Sequence, residues 1–249
     1  MLCSLRLLAG APNDGALQEV SPAVNEALIE INGKYILDYI IETLRDTAEI
    51  NKIVIVGPIQ ELKDRYQDVE VIQSEGTIMD NVSKGLHHLQ NEEQILILTS
   101  DIPLITRDAL QDFISQCRKL EADFYYPINS RETSENRFPG VHRTYITMKE
   151  GTFTGGNVFL TNTKAALAAL PKAQQFIAMR KKPFQLARIL GASFIYRFLT
   201  KSLLIADAER RVSEILGIRG KAIISEYAEI GVDVDKPEDL DLVRDYLKN

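Results

Sequence analysis

The chain contains no tryptophan, two cysteines and three histidines in 249 residues. Cys3 and Cys117 stand alone in apolar surroundings. Neither has the spacing of a zinc site or a disulfide framework, so both read as buried thiols of a reducing compartment. His87 and His88 are adjacent on an expected helix, where neighbouring side chains diverge, so they do not form a paired metal site by themselves. No apolar run approaches the ~20 residues that span a bilayer. Met1–Leu8 lacks the apolar core and cleavage site of a signal peptide. A basic surplus is also missing: the net charge is −6, which argues against a general nucleic-acid binder. Repeats, low-complexity tracts and linkers are not evident. These absences predict a cytoplasmic protein, and 249 residues are long enough for one well-buried α/β domain with room for an excursion. Its expected partners include no nucleic acid and no membrane; homo-oligomerisation is left open.

What is present centres on Ile95-Leu96-Ile97-Leu98-Thr99-Ser100-Asp101-Ile102-Pro103-Leu104. Such a run belongs to a strand covered on both faces, as in parallel sheets. Pro103 cannot donate to a ladder, which places Asp101 at the carboxyl edge of the sheet, where open α/β sheets bind ligands. A carboxylate there either joins a hard divalent cation such as Mg²⁺ or only shapes the turn into the next helix. Further strands are expected at Ser4–Leu8, Ala27–Ile31, Lys52–Val56, Val69–Ile72 and Ala122–Pro127. Helices are expected over Tyr35–Ala48, Ile59–Tyr66, from Thr77 to Leu89, and over Thr106–Leu120. That order implies a mostly parallel sheet with helical crossovers.

Three loops carry candidate chemistry. Ala9-Gly10-Ala11-Pro12-Asn13-Asp14-Gly15 follows a strand, the order in which backbone N–H groups cradle phosphates, though any surface turn has similar residues. Gly76-Thr77 opens a helix and offers either ligand contacts or an ordinary cap. Ser130–Leu160 reads as a hairpin-like excursion, irregular over Ser130–Pro139, with Arg131, Arg137, His142 and Arg143; arginines beside a sheet edge suit a phosphate-bearing acceptor, and a solvated loop is the plainer reading. Helical stretches follow over 165–190, containing the basic run Arg180-Lys181-Lys182, and over Ile205–Leu216. Lys221–Ser225 and Ile230–Val234 are expected strands. In Asp235-Lys236-Pro237-Glu238, Asp235 has the position of an N-cap with an acid at N3, which alone would explain it. Asp233 should point to the same side as Asp235.

Four segments occur in a recognisable order: Leu8-Ala9-Gly10-Ala11, Glu26-Ala27-Leu28-Ile29-Glu30-Ile31-Asn32-Gly33-Lys34, Ser100-Asp101-Ile102-Pro103-Leu104, and Asp233-Val234-Asp235-Lys236-Pro237-Glu238-Asp239-Leu240. Together they resemble the MobA-like branch of the nucleotidyltransferases. The resemblance implies a three-layer α/β/α sandwich of the nucleotide-diphospho-sugar transferase type. Residues 1–129 would be the nucleotide-binding half, 130–220 an acceptor-side excursion and 221–249 a closing strand and helix.

By the same resemblance, Asp101 and Asp235 would hold Mg²⁺. Ala9, Gly10, Ala11, Asn13, Gly15, Gly76, Thr77 and Asn81 would line the NTP. Arg137, Arg143, Gly156 and Asn157 would meet a small phosphorylated acceptor. The implied reaction moves an NMP from an NTP to that acceptor and releases pyrophosphate. Two departures stand out: the first loop lacks the family's usual arginine, and Glu26 occupies the place of its lysine. A non-catalytic nucleotide-binding relative therefore remains a second expectation. A third is a glycosyltransferase, against which Pro103 stands where that class usually has its second acid.

Overall fold

The computed structural model describes residues 3–179 and 182–248. Alternation along the apolar runs sorts side chains to two faces of one sheet. Leu5, Leu7, Leu96 and Leu98 enter one core, and Leu8, Val54, Ile95 and Ile97 enter another on the opposite face. Among the described residues the strands are β1 (Cys3–Leu8), β2 (Glu30–Ile31), β3 (Lys34–Tyr35), β4 (Ile50–Gly57), β5 (Glu70–Gln73), β6 (Gln94–Thr99), β7 (Phe124–Ser130), β8 (Ile146–Met148), β9 (Gly151–Gly155), β10 (Val158–Asn162) and β11 (Gly220–Ile224). The helices are α1 (Ile36–Arg45), α2 (Ile59–Leu62), α3 (Ile78–His88), α4 (Arg107–Cys117), α5 (Arg131–Arg137), α6 (Thr163–Met179), α7 (Pro183–Leu190), α8 (Ala192–Leu199), α9 (Ile205–Leu216) and α10 (Pro237–Tyr246).

The sheet order is β5-β4-β1-β6-β10-β7-β9-β8, with β11 also paired to β7. Pairs β4–β5, β1–β4, β1–β6 and β7–β11 are parallel, whereas β10, β9 and β8 enter antiparallel. Helices α1, α4 and α10 cover the larger core, and α3 and α6 cover the other. The fold is therefore the expected three-layer α/β/α sandwich. From β1 the chain builds outward to β4 and β5 and then returns to β6 on the other side of β1. Such a reversal opens a crevice at the carboxyl ends of the two central strands.

Four local expectations differ. Ser130–Pro139 is not irregular: α5 occupies most of it, with Ser130 Oγ accepting from Thr133 N at 2.9 Å as its N-cap. Its residues are charged or polar throughout, which hid the helical period. Ile230–Val234 is not a strand. A 3₁₀ turn over Ala228–Gly231 leads into extended chain, and the apolar alternation reflects burial of Ile230, Val232 and Val234 without a ladder. Ala27–Ile31 divides into a 3₁₀ turn and the short β2, which pairs with β3 through Asn32 and Gly33, both at positive φ. Helix α8 lies where no helix was expected. Of the basic run, Arg180 and Lys181 lie outside the described residues.

Among the polar residues that the described strands bury on the face of the second core, Arg6 is the one that carries a charge. Arg6 on β1 is 0 % exposed. One guanidinium nitrogen donates to the Val82 carbonyl of α3, while Nε and Nη2 have no hydrogen-bond partner among the described residues. Burial pushes its pKa down to about 9. A buried cation without a counter-ion costs more than an apolar side chain of like volume. Arg6→Met is expected to stabilise the fold by about 1–3 kcal/mol, a rise of several degrees in Tm by calorimetry. A lower Tm would show that the Val82 bond outweighs the desolvation.

Candidate active site

Strand β6 ends in Thr99, and the chain turns at Ser100-Asp101 before Pro103. The backbone carbonyl of Asp101 accepts from Val234 N at 2.9 Å. This single bond ties two segments far apart in sequence, and it brings the flanking acids into register. One carboxylate oxygen from each of Asp101, Asp233 and Asp235 lies within 4.8 Å of the others.

The three acids have different surroundings. Thr99 Oγ1 donates to Asp101 Oδ1 at 2.5 Å. Asp233 forms an ion pair with Arg143, whose other terminal nitrogen reaches the Gly155 carbonyl at 3.3 Å. Asn157 Nδ2 lies 3.4 Å from the second Asp233 oxygen. Among the described residues no side chain donates to the Asp235 carboxylate, which is exposed on its solvent side and partly buried where it lies beside the other two acids. Burial above all, with the nearby charges of Asp233 and Asp235, pushes the Asp101 carboxyl up to about 7. Asp235 is raised too, by burial and then by Asp233 and Asp239. Glu26 faces the same group: its pKa is raised by burial and then by Asp235 and Asp14. Asp101, Asp233, Asp235 and Glu26, with Asp14 and Asp239 close by, outnumber the cations that act on them among the described residues, Arg143 and Lys236, so the site is short of positive charge. Hard oxygen donors at this spacing suit Mg²⁺ or a similar divalent cation, which takes one or two carboxylates and fills its other positions with water or phosphate. The residues present therefore fit the ion that the family resemblance implies.

Asp235 does not cap the last helix, contrary to the simplest sequence reading. Asp239 does so, accepting from Lys236 N at 3.1 Å and from Asp235 N at 3.3 Å. That frees the Asp235 side chain for the cluster.

The first loop lies at the same end of the sheet. Ala9 is buried, and its N–H bonds Val56 O at 2.8 Å. Gly10 is a glycine because of close approach: a Cβ there would lie 2.7 Å from Ser74 Cβ and 2.9 Å from Asn81 Nδ2. Ala11 O accepts from Glu26 N at 3.2 Å, which sets Glu26 beside the loop. Asn13 turns inward and bonds Ser21 O at 3.1 Å and Ala23 O at 2.9 Å, so it pins the loop rather than reaching out of it. Gly15 has open space around it. Gly76 takes φ +64°, a conformation that L side chains avoid. Thr77 then caps α3 by accepting from Asp80 N. Asn81 is buried and accepts from Glu75 N at 2.8 Å, fastening the segment before α3 against the first loop.

The four residues expected to meet the acceptor separate. Arg143 and Asn157 reach Asp233, and Gly156 N bonds Pro127 O at 2.9 Å beside them. Arg137 is not brought to the acids. It pairs with Glu229 at 2.8 Å and lies over the Phe138 and Tyr246 rings, a structural contact between α5 and α10. Asp233 and Thr99 complete the cluster without having been singled out as ligands. The two-residue step from Asp233 to Asp235 was the available signal for the former.

A model of the MobA-like NTP transferase domain matches residues 23–201. A solved structure from Thermus thermophilus, described as a hypothetical transferase, is 33 % identical, with a TM-score of 0.87 over 96 % of this chain and 100 % of that one. More distant in sequence is the 4-diphosphocytidyl-2C-methyl-D-erythritol synthase of Anaerococcus prevotii, 14 % identical with a TM-score of 0.64 over 100 % of this chain and 96 % of that one. A CMP:2-keto-3-deoxy-manno-octonic acid synthetase solved with CTP is 12 % identical, with a TM-score of 0.63 over 100 % of this chain and 99 % of that one. No curated protein matches the chain. With the strand-end acid, the first loop and the closing acids all at one edge of this sheet, the chain belongs to the MobA-like NTP transferase family.

Proposed function

We propose that the protein is an Mg²⁺-dependent nucleotidyltransferase that transfers an NMP from an NTP to a small phosphorylated acceptor. The observation that carries this reading is the convergence of Asp101, Asp233 and Asp235 at the sheet edge beside the first loop. An acceptor phosphate oxygen attacks the α-phosphorus, the bond from that phosphorus to the bridging oxygen breaks, and pyrophosphate leaves. Asp101 and Asp235 are the carboxylates free to hold the metal. Arg143 and Asn157 hold Asp233 in place. Bound Mg²⁺ would supply charge neutralisation on the nucleotide phosphates. The first loop and the Gly76–Thr77 turn would present backbone N–H groups to the nucleotide. No protein nucleophile is required, because alignment and electrostatics supply the rate.

A screen of the four NTPs with phosphorylated acceptors, read as pyrophosphate release, tests this. Absence of release with every pair, together with metal-independent nucleotide binding by calorimetry, would favour the non-catalytic reading. Glu26 beside Asp235 and the lack of an arginine in the first loop are the observations behind that second reading.

The raised Asp101 pKa gives a pH dependence with a definite sign. An acid whose pKa is higher folded than unfolded holds its proton in the native state, so stability falls as pH rises from about 4 to about 7. A bound cation requires the ionised form and reverses that loss. Tm without metal is therefore expected to drop across this window, and the Tm gain from added Mg²⁺ to be larger at pH 8 than at pH 5.5. An equal gain at both values would show that Asp101 is not a ligand.

A further inference from the structure

From Gly151 to Ala206 the chain has no aspartate or glutamate, but it has eight cations: Lys164, Lys172, Arg180, Lys181, Lys182, Arg188, Arg197 and Lys201. The whole chain carries 35 acids and a charge of −6, so positive charge is concentrated in one segment. Its described residues form β9 and β10, which carry none of these cations, then α6, α7, α8 and the start of α9. Helices α7 and α8 are rich in apolar residues, yet none of their described residues is fully buried. Leu186, Ile189, Leu190, Phe194 and Ile195 are half-buried toward the protein. The outer side shows Phe184 at 90 %, Tyr196 at 69 % and Leu199 at 72 % exposure. Lys182, Arg188 and Lys201 are exposed alongside them. The same layer meets the sheet incompletely: an apolar cavity of about 340 Å³ remains behind α6, lined by Leu8, Ile97, Phe124, Phe159 and Phe176 among others.

We propose that the outer face of α7 and α8 docks on an anionic lipid surface. Aromatic and leucine side chains flanked by lysine and arginine, on short helices that contribute little to their own core, are the composition of an interfacial anchor. Charge selects the occupant. Arg197 is held by Asp207 of α9 at 2.7 Å, which leaves Lys182, Arg188 and Lys201 as the exposed cations of this face. Two copies of it would set like charges against each other, whereas an anionic bilayer complements them. No span is needed for this attachment, so it agrees with the absence of any described helix long and apolar enough to cross a membrane. It does depart from the sequence expectation of no membrane partner. The proposal does not depend on the nucleotidyltransferase reading.

The test is co-sedimentation of the full chain with vesicles of phosphatidylcholine alone and of equal parts phosphatidylcholine and phosphatidylglycerol, without nucleotide. At least about tenfold stronger partitioning onto the anionic vesicles is expected, declining with added salt. Each cation near such a surface contributes about fivefold, so Lys182→Glu, Arg188→Glu and Lys201→Glu together are expected to lose about a hundredfold. Phe184→Ser, Tyr196→Ser and Leu199→Ser together are expected to lose about tenfold or more, with circular dichroism and Tm unchanged. Failure to bind the anionic vesicles, or equal binding to both compositions, would overturn the proposal. So would light scattering that finds a dimer which the apolar triple variant dissolves, because a second copy would then cover the face.

Discussion

Asp101→Ala is expected to lower nucleotidyl transfer by at least about a thousandfold and to remove its Mg²⁺ dependence. A metal that offsets charge in phosphoryl transfer is worth several kcal/mol, and Asp101 is the acid most deeply committed to the cluster. It accepts from Thr99 and is tied through its own carbonyl to Val234. The backbone bond survives side-chain truncation, so the fold should persist while the ligand is lost. Asp101→Asn separates the two effects further. It keeps the shape and removes a carboxyl held near neutrality by burial and by two neighbouring acids. Its Tm without metal is expected to exceed that of the parent above pH 7, although it transfers no nucleotide. Such a trade is common where a site is built for function rather than stability. Transfer by Asp101→Ala within a few-fold of the parent, with the same requirement for Mg²⁺, would remove Asp101 from the mechanism.

The second large effect is expected at Glu26. The structure sets this acid beside the first loop through its N–H bond to Ala11 O, and its pKa is raised by burial, Asp235 and Asp14. A triphosphate placed along the loop would meet repulsion where family members usually have a lysine. Glu26→Lys is expected to tighten NTP binding by about tenfold to a hundredfold, the value of one well-placed cation. Glu26→Gln should give a smaller gain of the same sign. Titration calorimetry of the NTP with and without Mg²⁺ checks both. If Glu26→Lys weakens nucleotide binding, the glutamate belongs to the recognition surface. Its charge would then be a requirement of this chain's own ligand rather than a departure from the family's machinery.

Much of the architecture was open to sequence reasoning because it depends on short-range patterns. The buried run Ile95–Thr99, the amphipathic α1 and α4, and the Thr77 cap follow from side-chain periodicity and local hydrogen bonding, and all formed where expected. Asp101 could be placed at a sheet edge because Pro103 ends the strand. Local patterns failed where burial and pairing part company. The alternation at Ile230, Val232 and Val234 describes side chains entering the core from a segment with no ladder of its own. On α5, an unbroken charged and polar run covered the helical period.

The chain by itself determined the layered sheet, the order of its crossovers and the identity of the acids available to a cation. Only the tertiary structure decided which of them meet. Asp101 and Asp235 are separated by more than half the chain, and their approach depends on the bond from Val234 N to Asp101 O. It also decided that Asp239, not Asp235, caps α10, and that Arg143 turns to Asp233 while Arg137 is taken by Glu229. A carboxylate or a guanidinium has several acceptable partners at equal sequence cost, and the packing of distant elements selects among them.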